Sequence, residues 1–383
     1  MRADITRRAF VATLPVLAAA ADILPAETKR LRDPATEFEL TRLTDPAHNS
    51  WLIAPPARSI VSRSNAILYC SDRSGSIQAF RLDVKSGESR QLTEARELDR
   101  QSAGFLADEK TLCYFDGPLL MTASGSRVKT IYEVESGWQR APGFALTEDG
   151  HHALFVESKG EQARLRLVST SKGAPATVVE TGEAISLIRP RPRRAAILYG
   201  RPGSLWLVDY NGANNRKLRT TAGEYTQAIW SADGRSFTYL RVPERQAELN
   251  DLREHVPDAN EDRKIAATSQ FVTFSRNSDA SVYAGVSRNV SSPYILLLIR
   301  TARRELTVAE HKARNPQDVT VLFTPNSQRL LWHTDREGKA AIYTLPVDKF
   351  VEATEDAETA ASSSAPHSME HASFGAIASK RRS

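Results

Sequence analysis

Four arginines lie close together in one short stretch of the chain, where they could bind an anion. The run RPRPRR contains two prolines and these arginines: Arg189, Arg191, Arg193 and Arg194. A guanidinium group holds a carboxylate through two parallel hydrogen bonds and needs no metal to do so. Arg193 and Arg194 fit the tip of a solvent-exposed turn. Arg189 is therefore the candidate contact for a negatively charged ligand.

Histidine and cysteine, the other residues that could do chemistry, form no familiar pattern. The chain has 8 histidines and 2 cysteines, and neither cysteine stands at a spacing typical of metal ligands. Cys70 and Cys113 lie in apolar, strand-like stretches, so we expect two small buried side chains. A disulfide between them is the alternative if the protein is exported. His333 lies inside the strand-like stretch RLLWHTD, and we expect its side chain to be in the core or on the face of a sheet.

These residues are carried by a module that recurs along the chain. The clearest copy runs from Ser62 to Thr93, with short alternating strands separated by polar turns. Further copies begin near these residues: Leu106, Ala145, Pro190, Trp230, Phe274 and Phe323. Starts that lie about 39 to 49 residues apart are typical of β-propeller blades and not of helical repeats. The sequence predicts an all-β, seven-bladed β-propeller of four-stranded blades over residues 38–348.

The ring must also close, because an open sheet edge invites pairing with other chains. The last copy supplies three strands, and the segment Phe38–Thr44 before the first copy alternates apolar and polar residues. We predict that this segment is the outer strand of the last blade. The segment Arg245–Lys264 breaks the strand pattern and is interpreted as a partly helical insertion on one face of the ring.

The two ends of the chain differ from the ring. Thr6–Phe10 contains a twin-arginine pair and precedes an apolar stretch with small residues near Ala20, which is typical of an export signal. We predict a signal peptide over residues 1–26, with an uncleaved membrane anchor as the alternative. The mature protein would be periplasmic or secreted and would have no membrane span. Residues 352–383, rich in Ala, Ser and charge, are predicted to be a disordered tail.

The charge and composition exclude some partners. The formal net charge of +5 comes from scattered arginines rather than from one basic block. No RRM, zinc-finger or helix–turn–helix pattern accompanies that charge, so we expect no nucleic-acid partner. A mildly cationic surface suits an anionic ligand such as a uronic-acid sugar. We expect the protein to be a monomer.

Several segments taken together resemble the oligogalacturonate lyase family. They follow one another in order over nearly the whole ring: Leu43–Pro46, Ser71–Thr93, Leu205–Leu218, Trp230–Gly234 and Phe323–Tyr343. The resemblance implies a seven-bladed enzyme that cleaves short pectin fragments by β-elimination, in which the proton on C5 of a uronide is removed. It also implies a divalent metal, typically manganese, held by imidazole and amide groups near the ring axis, and a basic residue that takes the proton.

The chain departs from this family where the metal ligands are expected. The matched positions contain no histidine and carry instead Gln227, Asn315, Asp318 and Thr320. In one interpretation, Gln227, Asn315 and Asp318 form an oxygen-rich site for manganese or calcium. In the other, the metal is lost and these are ordinary polar residues. Since imidazoles are the ligands that suit a transition metal, we favour the second interpretation and expect no cofactor.

Other residues in the matched segments are candidates for holding the substrate. Arg201 stands in the segment that is rich in histidine in the family, and Arg314 precedes Asn315. We predict that Arg189, Arg201 and Arg314 bind carboxylates and serve as the catalytic set. Gln227 and Trp51 are predicted substrate contacts, since an aromatic ring can stack on a sugar.

Two hypotheses about function follow. The first is an oligogalacturonate lyase-like enzyme that acts on short pectin-derived uronides, with arginine in place of metal. The second is a catalytically silent exported propeller that binds acidic oligosaccharides or a protein partner, as a TolB-like scaffold would. A lyase needs a base and a cation that converge on one rim, whereas a binding protein needs only the cations and a few aromatic rings.

Overall fold

The computed structural model describes residues 23–245 and 247–350. Of the predicted signal peptide, residues 1–22 lie outside the described residues, and so does the whole predicted tail, 352–383. Within the described ranges, no helix is both long and apolar enough to cross a membrane.

Seven antiparallel sheets form the ring, and their strands are numbered β1 to β30 in chain order. Blade one contains β1 (Ile23–Leu24), β4 (Ser50–Leu52), β5 (Ala66–Ser71), β6 (Gln78–Asp83) and β7 (Ser89–Gln91). Blade two contains β8 (Leu98–Phe105), β9 (Leu112–Asp116), β10 (Leu119–Ser124) and β11 (Arg127–Glu133). Blade three contains β12 (Gln139–Leu146), β13 (His152–Lys159), β14 (Gln162–Ser169) and β15 (Pro175–Thr181).

The remaining blades follow the same order along the chain. Blade four contains β16 (Ser186–Pro190), β17 (Ala196–Arg201), β18 (Ser204–Asp209) and β19 (Arg216–Lys217). Blade five contains β20 (Glu224–Trp230), β21 (Phe237–Val242), β22 (Asp251–Val256) and β23 (Glu261–Ala267). Blade six contains β24 (Phe271–Arg276), β25 (Val282–Ser287), β26 (Tyr294–Ile299) and β27 (Arg304–Glu310). Blade seven contains β2 (Lys29–Arg32), β3 (Glu39–Arg42), β28 (Val321–Phe323), β29 (Arg329–Thr334) and β30 (Ala341–Pro346), and a 3-10 helix, Pro316–Asp318, precedes β28.

The predicted seven-bladed propeller is confirmed, and so is the way in which it closes. β3 pairs antiparallel with β30 in the register Thr41 with Thr344, so the segment predicted from Phe38–Thr44 completes the last blade. Outside it, β2 adds a fifth strand. β1 likewise pairs with β7 of blade one. The sheets therefore begin before residue 38, because the N-terminal segment covers the outer edges of blades one and seven.

The predicted partly helical insertion over Arg245–Lys264 is wrong. From Asp251 onwards it forms β22, a turn and the first part of β23, and these are the two outer strands of blade five. Charged side chains pair across these strands, as Arg253 does with Asp262 at 3.0 Å. Cross-strand ion pairs stabilise a sheet without the apolar alternation that marks most strands. The sequence pattern therefore did not predict these two strands, because charged side chains and not alternating apolar ones pair across them.

The core lies between neighbouring blades, where their flat faces pack together. Between blades six and seven, for example, Leu297 and Val282 pack with Trp332 and Tyr343, and all four side chains are buried. Cys70 and Cys113 are free and buried, and burial raises the pKa of each thiol to about 12. Both cysteines therefore act as small apolar side chains, as expected.

The seven inner strands surround the ring axis: those of blades two to seven contact one another in order, and β4 of blade one contacts β29 and β30 of blade seven. Their N-terminal ends meet at one end of the channel, which we call the mouth. Their C-terminal ends meet at the opposite end, which we call the floor. A side chain near the start of an inner strand therefore lies near the mouth, and one near the end of an inner strand lies near the floor.

Candidate functional site

The mouth holds an arginine that stacks on a tryptophan ring. Arg100, near the start of β8, places its guanidinium carbon 4.8 Å from the centre of the Trp51 ring in β4. Both side chains are partly buried. Among the described residues, no carboxylate forms an ion pair with Arg100. Stacking on an indole ring stabilises and orients a guanidinium group, so Trp51 holds Arg100 in place and leaves its charge available.

The adjacent carboxylate of Asp99 is already paired. It accepts a hydrogen bond from Arg140 Nη2 at 2.6 Å, and Arg140 stacks 3.9 Å from the Phe115 ring. Burial of Asp99 disfavours its charged form, but the N–H of Gln101 and the Arg140 guanidinium outweigh it and lower the pKa of the carboxyl. The pair is thus neutral as a whole, and among the described residues the charge of Arg100 beside it has no carboxylate to compensate it.

The histidine nearest to this cation is a structural one. His333 in β29 is buried; its Nδ1 accepts a hydrogen bond from the N–H of Leu52 at 3.2 Å, and the ring also bonds the backbone of Asp318. Burial first, and the nearby charge of Arg100 second, lower the pKa of His333 to about 4. The ring is therefore neutral at pH 7 and joins blades one and seven, as expected of a blade-face histidine.

This histidine gives the fold a specific pH dependence. In the unfolded chain His333 gains a proton as the pH falls through about 6.5, whereas in the fold it stays neutral down to about 4. Its contribution to stability is complete above pH 6.5 and is lost between these two values, by about 3 kcal/mol in total. We expect the wild type to lose more unfolding free energy than His333→Asn between pH 7 and pH 4.5 in urea titrations. Equal losses in both proteins would contradict this assignment.

Two known lyases resemble this chain over most of its length. No protein-family model matches the chain. It is 22% identical to the oligogalacturonide lyase of Pectobacterium atrosepticum over 384 residues, covering 85% of this chain and 97% of that protein. It is 21% identical to the oligogalacturonate lyase of Dickeya dadantii, over 82% of this chain and 95% of that protein.

Two solved structures share the fold over the whole ring. An oligogalacturonate lyase in complex with manganese superposes with a TM-score of 0.79 at 19% identity, covering 86% of this chain and 98% of that one. The oligogalacturonate lyase from Vibrio parahaemolyticus gives the same TM-score of 0.79 at 20% identity, over 86% and 99% of the two chains. The resemblance to the oligogalacturonate lyases is confirmed. At sequence identities of 19% and 20%, the structural similarity establishes the fold alone.

The residues matched to the metal ligands of oligogalacturonate lyases are engaged elsewhere. The amide oxygen of Gln227 accepts a hydrogen bond from the N–H of Phe274 at 2.9 Å, and its nitrogen donates to the Phe274 carbonyl at 2.7 Å. Asn315 and Asp318 are exposed and bond to each other at 3.1 Å. No cluster of three His, Cys, Asp or Glu side chains suited to a metal occurs among the described residues. This donor set does not fit manganese or calcium.

Arg201, a predicted catalytic residue, belongs to a turn that recurs around the lyase-like ring. Equivalent turns between the second and third strands of three blades carry an arginine that stacks on an aromatic ring: Arg73 on Phe80 at 5.9 Å, Arg201 on Trp206 at 4.2 Å and Arg336 on Tyr343 at 5.8 Å. Each also pairs with a carboxylate, as Arg201 does with Glu183 at 3.2 Å. A feature repeated in three blades is a structural one, and the sequence repeats SDRSG, GRPG and TDREG signal it.

The three predicted catalytic arginines are not brought together. Arg201 lies on the mouth side, one residue beyond the pairing of Gly200 with Ser186 at the start of β16. Arg314 is 80% exposed in the loop before β28, 3.6 Å from Asp335. Arg189 lies near the end of β16, where its Nε donates to the carbonyl of Ala228 at 2.7 Å. This position is close to the floor, so Arg189 lies at the opposite end of the channel from the mouth.

Sequence reasoning missed Arg100 and gave Trp51 a different role. Trp51, predicted to be a substrate contact, lies at the mouth, and the Arg100 guanidinium covers one face of its ring. Nothing in the local sequence ELDRQSAG marks Arg100 as special. Its position near the start of the inner strand of a predicted blade was the available signal, because such positions face the mouth.

Proposed function

We propose that the protein is an oligogalacturonate lyase-like propeller that acts on short uronic-acid oligosaccharides at its mouth, with Arg100 holding a sugar carboxylate. The observation that carries this proposal is the guanidinium of Arg100, oriented by Trp51 and without a carboxylate partner among the described residues. An arginine so placed can form the charge-assisted pair that a uronate offers. The acidic substrate class comes from the similarity to the lyases named above.

Cleavage by β-elimination is the reaction that this similarity suggests. It requires a base for the C5 proton and positive charge to stabilise the carboxylate as that proton leaves. The described mouth supplies the charge, while the two buried histidines near it are engaged: His333 as above, and His311 between Ala313 N–H and the Ser287 carbonyl, both at 3.1 Å. Binding is the part that the geometry supports, and a silent, oligosaccharide-binding protein is the alternative to the lyase.

Binding is tested with Arg100→Gln against Arg96→Gln, an exposed arginine four residues earlier. We expect Arg100→Gln to weaken trigalacturonate binding by about 10-fold or more in calorimetry, since a charge-assisted pair contributes about 1.5–3 kcal/mol. Arg96→Gln should bind like the wild type. Unchanged affinity in Arg100→Gln, with the same melting temperature as the wild type, would overturn the proposed contact.

Catalysis is tested on the same proteins by following the ultraviolet absorbance of the unsaturated product, with and without added manganese. A rise that is independent of manganese and absent in Arg100→Gln supports a lyase that uses arginine. Binding without any rise supports the silent protein. A rise that appears only with manganese would contradict the conclusion drawn from Gln227, Asn315 and Asp318.

We further propose that the protein acts as a monomer outside the cytoplasm, exported by the twin-arginine segment within residues 1–26. Replacing Arg7 and Arg8 by lysine should retain the protein in the cytoplasm in cell fractionation. Export of this variant at the wild-type level would contradict the assignment.

A further inference from the structure

A cavity of about 270 Å³ lies at the floor, at the opposite end of the channel from Arg100. The last residues of four consecutive inner strands line it: Phe105, Leu146, Pro190 and Trp230. Pro55 and Pro56, in the loop after β4, complete its wall. Rings and aliphatic groups form most of this lining, so the cavity favours a compact apolar body.

Arg189 lines the same cavity and is its most unusual group. Its Nε donates to the Ala228 carbonyl at 2.7 Å and its Nη1 to the Ile188 carbonyl at 2.9 Å. No carboxylate pairs with it among the described residues, and its Nη2 makes no hydrogen bond with them. Burial alone lowers the pKa of this guanidinium to about 10, so it remains charged at pH 7. Arg189 is partly buried, and among the described residues it is bonded only to carbonyls, so this cation has no counter-charge there.

A second arginine on the wall adds to this imbalance. Arg58 donates to the carbonyls of Leu106 at 3.1 Å and Glu148 at 2.8 Å, and it too has no ion pair within the described part of the chain. The one carboxylate of the lining, that of Glu148, belongs to a solvent-exposed residue. The lining therefore carries two cations and one exposed anion, and it would accept a further negative charge.

We propose that the floor cavity is a second binding site, which takes a small monocarboxylate with a compact apolar ring or chain. Arg189 would hold the carboxylate through its free N–H groups, while Trp230 and Phe105 pack against the body of the ligand. The size of the cavity limits the ligand to about one six-membered ring with its carboxylate, since typical pockets of about 300–1,000 Å³ hold larger molecules. The site is separate from the mouth and does not depend on the function proposed there.

The test uses cyclohexanecarboxylate and its neutral analogue cyclohexanecarboxamide, titrated into the purified protein by calorimetry. The carboxylate should bind at least 10-fold more tightly than the amide to the wild type. Arg189→Gln should lose this preference, while Arg193→Gln, the same change on an exposed residue of the same segment, should keep it. Arg100→Gln should also keep it, which separates this site from the mouth.

The comparison of the two ligands on the wild type is decisive even if Arg189→Gln fails to fold. Equal affinities for the carboxylate and the amide would overturn the proposal, and so would undiminished carboxylate binding by a folded Arg189→Gln. Loss of binding in Arg100→Gln would place the ligand at the mouth and would overturn it as well. Galacturonate tests the apolar character of the ligand. If it binds more tightly than cyclohexanecarboxylate and this binding depends on Arg189, the proposal of an apolar ligand body is overturned.

Discussion

Glu157→Leu is expected to reduce the free energy of unfolding by about 3–5 kcal/mol, the range for removing one partner of a buried ion pair. The Glu157 side chain in β13 is fully buried. Its carboxylate accepts hydrogen bonds from Tyr132 Oη at 2.7 Å and Arg164 Nε at 2.6 Å, and it lies 3.7 Å from Arg166. Without it, two buried guanidinium groups between blades two and three would keep only the exposed Glu135 as a counter-charge.

Glu135→Gln is the matched control, because Glu135 contacts the same two arginines but is 51% exposed. Exposed ion pairs contribute little, so its loss should cost at most about 1 kcal/mol. Urea denaturation followed by tryptophan fluorescence measures both variants, and circular dichroism checks that they are folded beforehand. Comparable losses in the two variants would show that burial does not govern the energetics of this cluster.

Gly285→Ala is expected to have an effect of similar size, for a steric reason. Gly285 lies in the middle of β25, and a Cβ placed on it would overlap the ring of Phe271, which is fully buried. The added methyl group therefore has to expel the ring from its place between blades five and six. Displacing a buried phenylalanine should cost about as much as its truncation, about 3–5 kcal/mol.

The mechanism behind this second effect can be isolated by a double-mutant cycle. Phe271→Leu removes the ring, so adding Gly285→Ala to it should cost far less than in the wild type. Gly182→Ala is the control for glycine replacement as such, because no atom lies within 4 Å of a Cβ at that position. Additive effects of Phe271→Leu and Gly285→Ala in denaturation would rule out the steric conflict.

The amino-acid sequence was sufficient to predict the ring and the way it closes. Apolar and polar residues alternate along most blade strands, and this is a local pattern. The same alternation in Phe38–Thr44 identified the outer strand that pairs with β30. The pattern was insufficient where strands are held by charges. Arg253 and Asp262 pair across β22 and β23, and this pairing left no apolar alternation from which those strands could be predicted.

The candidate sites were less predictable than the ring, because they depend on contacts between blades. An amide side chain such as that of Gln227 could have been a metal ligand. However, the backbone of Phe274, which is 47 residues away, forms hydrogen bonds with both the oxygen and the nitrogen of this amide. Arg100 was overlooked because its neighbour Trp51 comes from another blade. Arginines only 12 residues apart, Arg189 and Arg201, lie on opposite sides of the ring, Arg189 towards the floor and Arg201 towards the mouth.

The sequence by itself determined the number of blades, the closing strand, the similarity to the oligogalacturonate lyases and the absence of histidine at the matched ligand positions. These features depend on local periodicity and residue identity. Only the tertiary structure decided which arginines are neutralised, by Glu183 for Arg201 and by Asp99 for Arg140, and which have no carboxylate partner among the described residues at the two ends of the channel. Charge compensation depends on distances of a few ångströms between residues far apart in the chain, and such distances exist only once the blades have packed around the axis.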